Sequence, residues 1–312
     1  MTIVDTTTPI TSAKSVAAVE KLKEIYPGLQ VKTIATTAFS RPVQAVELGT
    51  GARKVFFSAS HHANEWITSL VLLKFLEDLV TAVNTGGSLL GEDARQLLNG
   101  ATIYIVPMVD PDGVDLVTGA IQPNSREYAQ AERISRSFPD IPFPEGWKAN
   151  LNGVDLNLQY PAGWLKAREI KFMQGFDRPA PRDYVGLYPL SQPESRGLAA
   201  YTEEIDPDLV VAFHTQGKEI YWEFGDYFVP GAQELGQIFA DVSGYTLAQV
   251  AVSSSYAGYK DWFIQRFRRP GYTIEAGLGV NPLPISQFDE IYRDNLPILL
   301  AAILGRKPNM LE

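Results

Sequence analysis

The chain contains three histidines, and two of them, His61 and His62, stand side by side in the stretch SASHHANEW. Three positions after His62 comes Glu65. A histidine and a glutamate at that spacing can turn an imidazole nitrogen and a carboxylate oxygen toward one cation. Adjacent histidines at a strand end also serve packing and hydrogen bonding, and His-x-x-Glu arises often by chance. The pair alone decides nothing. The third histidine, His214, closes the apolar run LVVAF far downstream. Two nitrogen donors and one oxygen donor make up the protein's part of a catalytic zinc site, which keeps a fourth position for water. His61 reads as a neighbour of such a site, because one step along the backbone points its ring elsewhere. Glu275, in GYTIEAG, follows an apolar run where a small or apolar residue would be expected. A buried acid at such a position serves either chemistry or a salt bridge.

These residues need elements to hold them. KVFFSAS reads as a buried strand that delivers His62, and PDLVVAFHTQG as a strand that delivers His214. GYTIEAG reads as a third strand, ATIYIVPMV as a fourth and RPVQAVELG as a fifth. Helical patterns lie between them. Lys14 to Tyr26 is amphipathic, and from Glu65 to Val83 the residues Ile67, Leu70, Val71, Phe75, Leu79 and Val80 recur at helical spacing. ESRGLAAYTEEI, AQELGQIFADV and KDWFIQRF also read as helices, as does FDEIYRDNLPILLAAIL with a kink expected at Pro297. The alternation predicts an α/β fold, a mostly parallel or mixed sheet covered by helices. Ligands of such sheets gather at the carboxyl ends of the strands, where all three candidate strands place their polar residues. Residues 122 to 193 lack periodicity and are rich in Pro, Gly, Tyr and Trp, so they are expected to form loops that shape the site. With no repeat and no low-complexity linker, residues 1–312 are expected to form a single domain.

Composition narrows the class. The 312 residues are 45% hydrophobic and 20% charged, as in ordinary globular proteins. Asp and Glu (36) outnumber Lys and Arg (27), the net charge is −9 and no dense basic run occurs, which argues against nucleic acid or an anionic membrane surface as partner. Cysteine is absent, which excludes disulfides and thiolate ligands and leaves His, Asp and Glu to bind metal. No stretch is apolar enough to span a bilayer. The N-terminal segment lacks the apolar core of a signal peptide, so a cytoplasmic location is expected. The alternative is export with the leader removed.

Taken in order, HHANEW, VDPDGVD, GVDLN, a strand-end histidine, and DW ahead of TIEAG resemble the zinc metallocarboxypeptidase family, over residues 30 to 305 or so. WKANLNGVDLN, FHTQGKEIYW, YAGYKDWFIQ and IEAGLGVNPLPISQFDEIY resemble in particular its bacterial branch of γ-D-glutamyl-diaminopimelate peptidases, which cut cell-wall peptides. The resemblance implies an α/β/α sandwich with a mixed, largely parallel eight-stranded sheet and one zinc ion per chain. It implies His62, Glu65 and His214 as zinc ligands and Glu275 as the general base. The family places an arginine after a tryptophan to stabilise the oxyanion. Here Lys148 follows Trp147, as in the cell-wall branch, and offers a point charge in place of a fork. The alternative for Lys148 is a solvated loop residue.

Two further positions depart from the wider family. That family reads Asn-Arg after GVDL, a pair that grips a terminal carboxylate; here Asn157 is followed by Leu158. The loss of that cation argues against a strict C-terminal exopeptidase. Lys260 falls at the family's side-chain specificity position, where it would suit an acidic group on the leaving side, such as a diaminopimelate carboxylate; otherwise it is an exposed lysine at a helix start. Tyr256 and Tyr259 border that segment and are candidates to cover the site as the family's mobile tyrosine does, although Ser253 occupies the matching position. DPDG, residues 110–113, reads as a turn near the site. Asp112 within it is a candidate to orient a ligand imidazole. The expected function is a zinc peptidase cutting the γ-D-glutamyl–diaminopimelate bond of peptidoglycan-derived peptides, soluble fragments in preference to intact wall. The alternatives are a conventional carboxypeptidase and an inactive homologue that binds wall peptides. The complete set His62, Glu65, His214 and Glu275 speaks against the last.

Overall fold

The computed structural model describes residues 2–250 and 255–309. In chain order the elements are α1 (Ser12–Ile25), β1 (Gln30–Thr36), β2 (Pro42–Leu48), β3 (Arg53–Ala59) and α2 (Ile67–Thr85). A two-stranded hairpin, β4 (Ser88–Leu89) and β5 (Glu92–Asp93), leads to α3 (Ala94–Gly100) and β6 (Ala101–Val106). Then come α4 (Pro111–Val117), α5 (Arg126–Ser135), α6 (Trp164–Met173), α7 (Pro193–Ile205), β7 (Leu209–His214) and β8 (Glu219–Tyr221). The chain closes with α8 (Ala232–Ser243), β9 (Thr246–Ala248), α9 (Tyr259–Phe267), β10 (Gly271–Glu275) and α10 (Phe288–Leu304).

Eight strands form one sheet in the order β1-β2-β6-β3-β7-β10-β8-β9. The central strands β6, β3, β7 and β10 are parallel, whereas β1, β2 and β8 join antiparallel. Alternation along the central strands builds two cores. Val55, Phe57, Val211 and Phe213 face α1, α2, α8 and α10 through Leu22, Phe75, Phe239 and Leu299. Phe56, Val210 and Ala212 face α7 and α9 through Leu198, Phe263 and Ile264. Strands covered on both faces read as continuous apolar runs, which is why β3, β6 and β7 were legible in the sequence. The expected α/β/α sandwich with a mixed, largely parallel eight-stranded sheet is the observed architecture.

Three local expectations change. A short 3-10 turn occupies Ala63–Glu65, so α2 starts at Ile67 and not at Glu65. DPDG is a helix start: the Asp110 carboxylate accepts the Gly113 N–H, Pro111 takes the first helical position, and α4 follows. The segment 122–193 carries α5 and α6 as well as loops. The closing helix α10 is present as expected, with the buried Pro297 in its interior. Among the described residues, no helix is long and apolar enough to cross a membrane.

Candidate active site

The parallel centre of the sheet places three polar residues together. His214 ends β7, and Glu275 ends the adjacent β10, where the two are register partners. His62 follows β3, the other neighbour of β7, and leads into the 3-10 turn that carries Glu65. Nδ1 of His62 lies 2.9 Å from Oε1 of Glu65, and Nδ1 of His214 lies 2.9 Å from Oε2. The two Nδ1 atoms are 3.2 Å apart. In a tetrahedral zinc site with bonds near 2.05 Å, ligand atoms stand about 3.3 Å from one another. The donor set and its spacing therefore fit zinc. The three side chains are buried and form the one metal-competent cluster of His, Cys, Asp and Glu found among the described residues.

Electrostatics point the same way. Burial opposes a charge on His62, yet Glu65 and Asp155 together outweigh it and push the imidazole up to about 9. Burial would raise Glu65, but His62, Lys148 and His214 together hold it well below the usual carboxylate range. The triangle thus gathers charge that a dication can satisfy, on condition that His62 gives up its proton. Nε2 of His62 meets Oδ1 of Asp155 at 3.2 Å, a carboxylate behind the imidazole that fixes its orientation. Asp155 is held in turn by the Asp183 N–H on its Oδ2. Asp112 does not take the orienting role expected of it. Its carboxylate pairs with Arg41 at 2.8 Å, because α4 turns its first residues toward the β1–β2 connection. His61 stacks on the His214 ring at 5.4 Å and stays outside the donor cluster.

Lys148 reaches the triangle, with Nζ 3.2 Å from Oε1 of Glu65. It is not a solvated loop residue. Burial works against its charge, but Glu65 and Asp155 raise its pKa. Its backbone is pinned by Pro181 and Ala63. Glu275 is pushed up to about 8, first by burial and then by the charge of Glu65. It lines both cavities at this end of the sheet. One, of about 260 Å³, is bounded by Asn157, Leu158, Lys171, Lys260 and Asp261. The other, of about 670 Å³, is bounded by Asn64, Lys148, Arg182, Tyr221 and Val280.

The remaining expected residues fall out differently. Asn157 lines the smaller cavity and uses its Oδ1 to accept the Tyr259 N–H at 3.0 Å, which leaves its amide nitrogen to offer. Lys260 also lines that cavity but is buried, and its charge is matched by Asp261 at 2.6 Å and by the Glu223 carbonyl at 2.5 Å. It is neither an exposed lysine nor an unpaired cation. Tyr259 borders the smaller cavity, but its side chain is buried, 1% exposed, with its hydroxyl tied to Thr202 at 2.8 Å. The Tyr256 ring packs against Gly163 and Phe224, outside the cavity lining. Helix α9 starts at Tyr259 and turns that ring into the core between the sheet and α7. Ser253 lies outside the described residues. Tyr221, which lines both cavities, was not anticipated, nor were Asp155, Lys171 and Asp183. Only Asp155 had a signal, its position two residues before Asn157 in GVDLN.

Comparison with known proteins resolves the family. The family model described as zinc carboxypeptidase matches residues 16–298. The protein belongs to the zinc carboxypeptidase family. It is a zinc metallopeptidase. The peptidase is 43% identical over 285 residues to γ-D-glutamyl-L-diamino acid endopeptidase 1 of Lysinibacillus sphaericus, covering 91% of this chain and 70% of that one. Among solved structures, thrombin activatable fibrinolysis inhibitor superposes with a TM-score of 0.75 at 17% identity, over 98% of the peptidase and 76% of that chain. Carboxypeptidase A of Helicoverpa armigera gives 0.70 at 18%, over 96% and 75%. At those identities the two structures speak to the fold of the peptidase alone.

Proposed function

We propose that the protein hydrolyses the γ-D-glutamyl–diaminopimelate bond of peptidoglycan-derived peptides, as one catalytic unit. One observation carries this reading against ordinary carboxypeptidase action. The cavity beside Glu275 is bounded by Asn157 and Leu158, so it lacks the arginine that would clamp a peptide's terminal carboxylate. The 43% identity to an enzyme named for the γ-D-glutamyl-L-diamino acid bond supports the same choice.

His62, Glu65 and His214 would hold the zinc ion. When bound, the ion supplies Lewis-acid polarisation of the scissile carbonyl and acidifies water. Glu275 accepts the proton of the attacking water and delivers it to the leaving nitrogen as the C–N bond breaks. Burial and the charge of Glu65 raise the Glu275 carboxyl to about 8, which keeps the proton available for that second transfer. Lys148, buried and charged, donates to the oxyanion that develops on the carbonyl. Asp155 keeps His62 turned toward the triangle. Asn157 offers its amide to the leaving residue.

Product analysis on two substrates tests the reading. A defined γ-D-glutamyl-diaminopimelate muropeptide should be cut at that bond, and an ordinary blocked peptide with a free C-terminus should be left intact. Release of C-terminal residues from the ordinary peptide, with the muropeptide untouched, overturns it.

A further inference from the structure

Both oxygens of Glu65 are held. Oε1 meets Nδ1 of His62 at 2.9 Å and Nζ of Lys148 at 3.2 Å. Oε2 meets Nδ1 of His214 at 2.9 Å and accepts the Thr215 N–H at 3.3 Å. The last contact differs in kind from that of Lys148. Lys148 brings a formal charge, which repels a dication entering the triangle. A backbone N–H brings only a dipole, so it restrains a carboxylate oxygen with far less opposition to the ion. The worth of that restraint depends on how firmly Thr215 is held.

Thr215 follows the last residue of β7 and is 4% exposed. The peptide plane that carries its N–H is caught at the other end, where the His214 carbonyl accepts the Ala276 N–H at 2.8 Å. The rest of the residue is gripped by one side chain. Thr215 Oγ1 donates to Oδ1 of Asn281 at 2.7 Å, and Nδ2 of Asn281 donates to the Thr215 carbonyl at 2.9 Å. The amide has one orientation in this ring, because a carbonyl can only accept and must therefore face Nδ2.

Anchoring the loop after Glu275 does not account for this ring. That loop is already tied by the Gly217 N–H on the Gly277 carbonyl at 2.9 Å, and by Gln287, whose side chain binds both the N–H and the carbonyl of Leu278. Nor does the ring lie in the core: Thr215 and Asn281 line the larger cavity, beside Glu275. The residue it fixes is the one whose N–H meets Glu65.

Building on the zinc-site reading above, we infer that Asn281 is a positioning residue for the metal centre. It fixes Thr215, and through the Thr215 N–H it keeps the Glu65 carboxylate turned into the triangle with His62 and His214.

Zinc affinity tests this, measured on metal-free protein by competition against a chelator. Asn281→Ala and Thr215→Val should each weaken zinc binding about tenfold or more, the scale for partners that orient metal ligands. Thr215→Ser, which keeps the hydroxyl, should recover most of the loss. The double variant Thr215→Val with Asn281→Ala should bind no more weakly than Asn281→Ala alone, since both changes break one ring. Affinity within threefold of wild type in both single variants overturns the inference and leaves the zinc site standing. So does a Thr215→Ser variant as weak as Thr215→Val. Wild-type protein that binds no zinc overturns the zinc site as well. Thr215→Val and Thr215→Ser decide the matter even where Asn281→Ala does not fold.

Discussion

His214 and Glu275 are register partners at the carboxyl ends of two adjacent parallel strands. Paired residues in register project to the same face of a sheet, with the strands about 4.8 Å apart. The candidate ligand and the candidate base are thus set side by side by sheet hydrogen bonding, not by loop conformation. Their relative position should survive changes in either side chain, which makes single substitutions informative.

Metal content is the first consequence. Purified protein should contain about one zinc per chain, and His62→Ala or His214→Ala should lose it. Both variants should keep a cooperative thermal transition, because the two cores lie on the sheet faces and owe nothing to the ion. Full zinc occupancy in both variants, measured by elemental analysis, would rule out the site.

Glu275→Gln separates binding from chemistry. The variant should hold zinc and substrate as the wild type does, while kcat falls by roughly 10²–10⁴ through loss of the proton relay. Steady-state kinetics within tenfold of wild type would remove Glu275 from the role of base.

Asp155→Asn addresses the carboxylate behind His62. Losing the charge at 3.2 Å from Nε2 should weaken zinc affinity by roughly 10–100-fold while the fold persists. Competition against a chelator of known affinity reads this directly. An unchanged affinity would reduce Asp155 to a partner of the Asp183 backbone.

A pH effect follows from Glu194, in the first turn of α7. Burial pushes this carboxyl up from 4.5 to about 7. A raised carboxylate pKa means that the folded state holds the proton longer than the unfolded chain, so stability falls as pH rises from about 4.5 to about 7 and is level above that. Glu194→Gln removes the loss. The variant should match wild type below pH 4.5 and be more stable at pH 8, with a ceiling of about 3 kcal/mol at 1.36 kcal/mol per pH unit. Urea melts at the two pH values measure it. A constant difference between wild type and variant across pH would show that Glu194 does not titrate in this window.

Apolar patterning was enough to foresee the architecture and the meeting of His62, Glu65 and His214. Strands buried on both faces must be apolar throughout, so β3, β6 and β7 declared themselves, and polar residues at their ends had to gather at one edge of a parallel sheet. What surrounds that edge was decided by tertiary structure. Asp155 lies behind His62 because the loop before α6 returns to the strand ends, a path that no periodicity encodes. Tyr259 looked like a lid and is core, since α9 starts at that residue and turns its ring inward. Lys260 was expected to face an acidic group of the substrate or solvent, and it is buried and matched by its neighbour Asp261. Lys171 and Asp183 are twelve positions apart and meet only when α6 and the following loop fold over the cavity. Apolar patterning records which face of an element is buried. It does not record which charges will share a cavity, because long polar side chains find their partners through distances set by the whole fold.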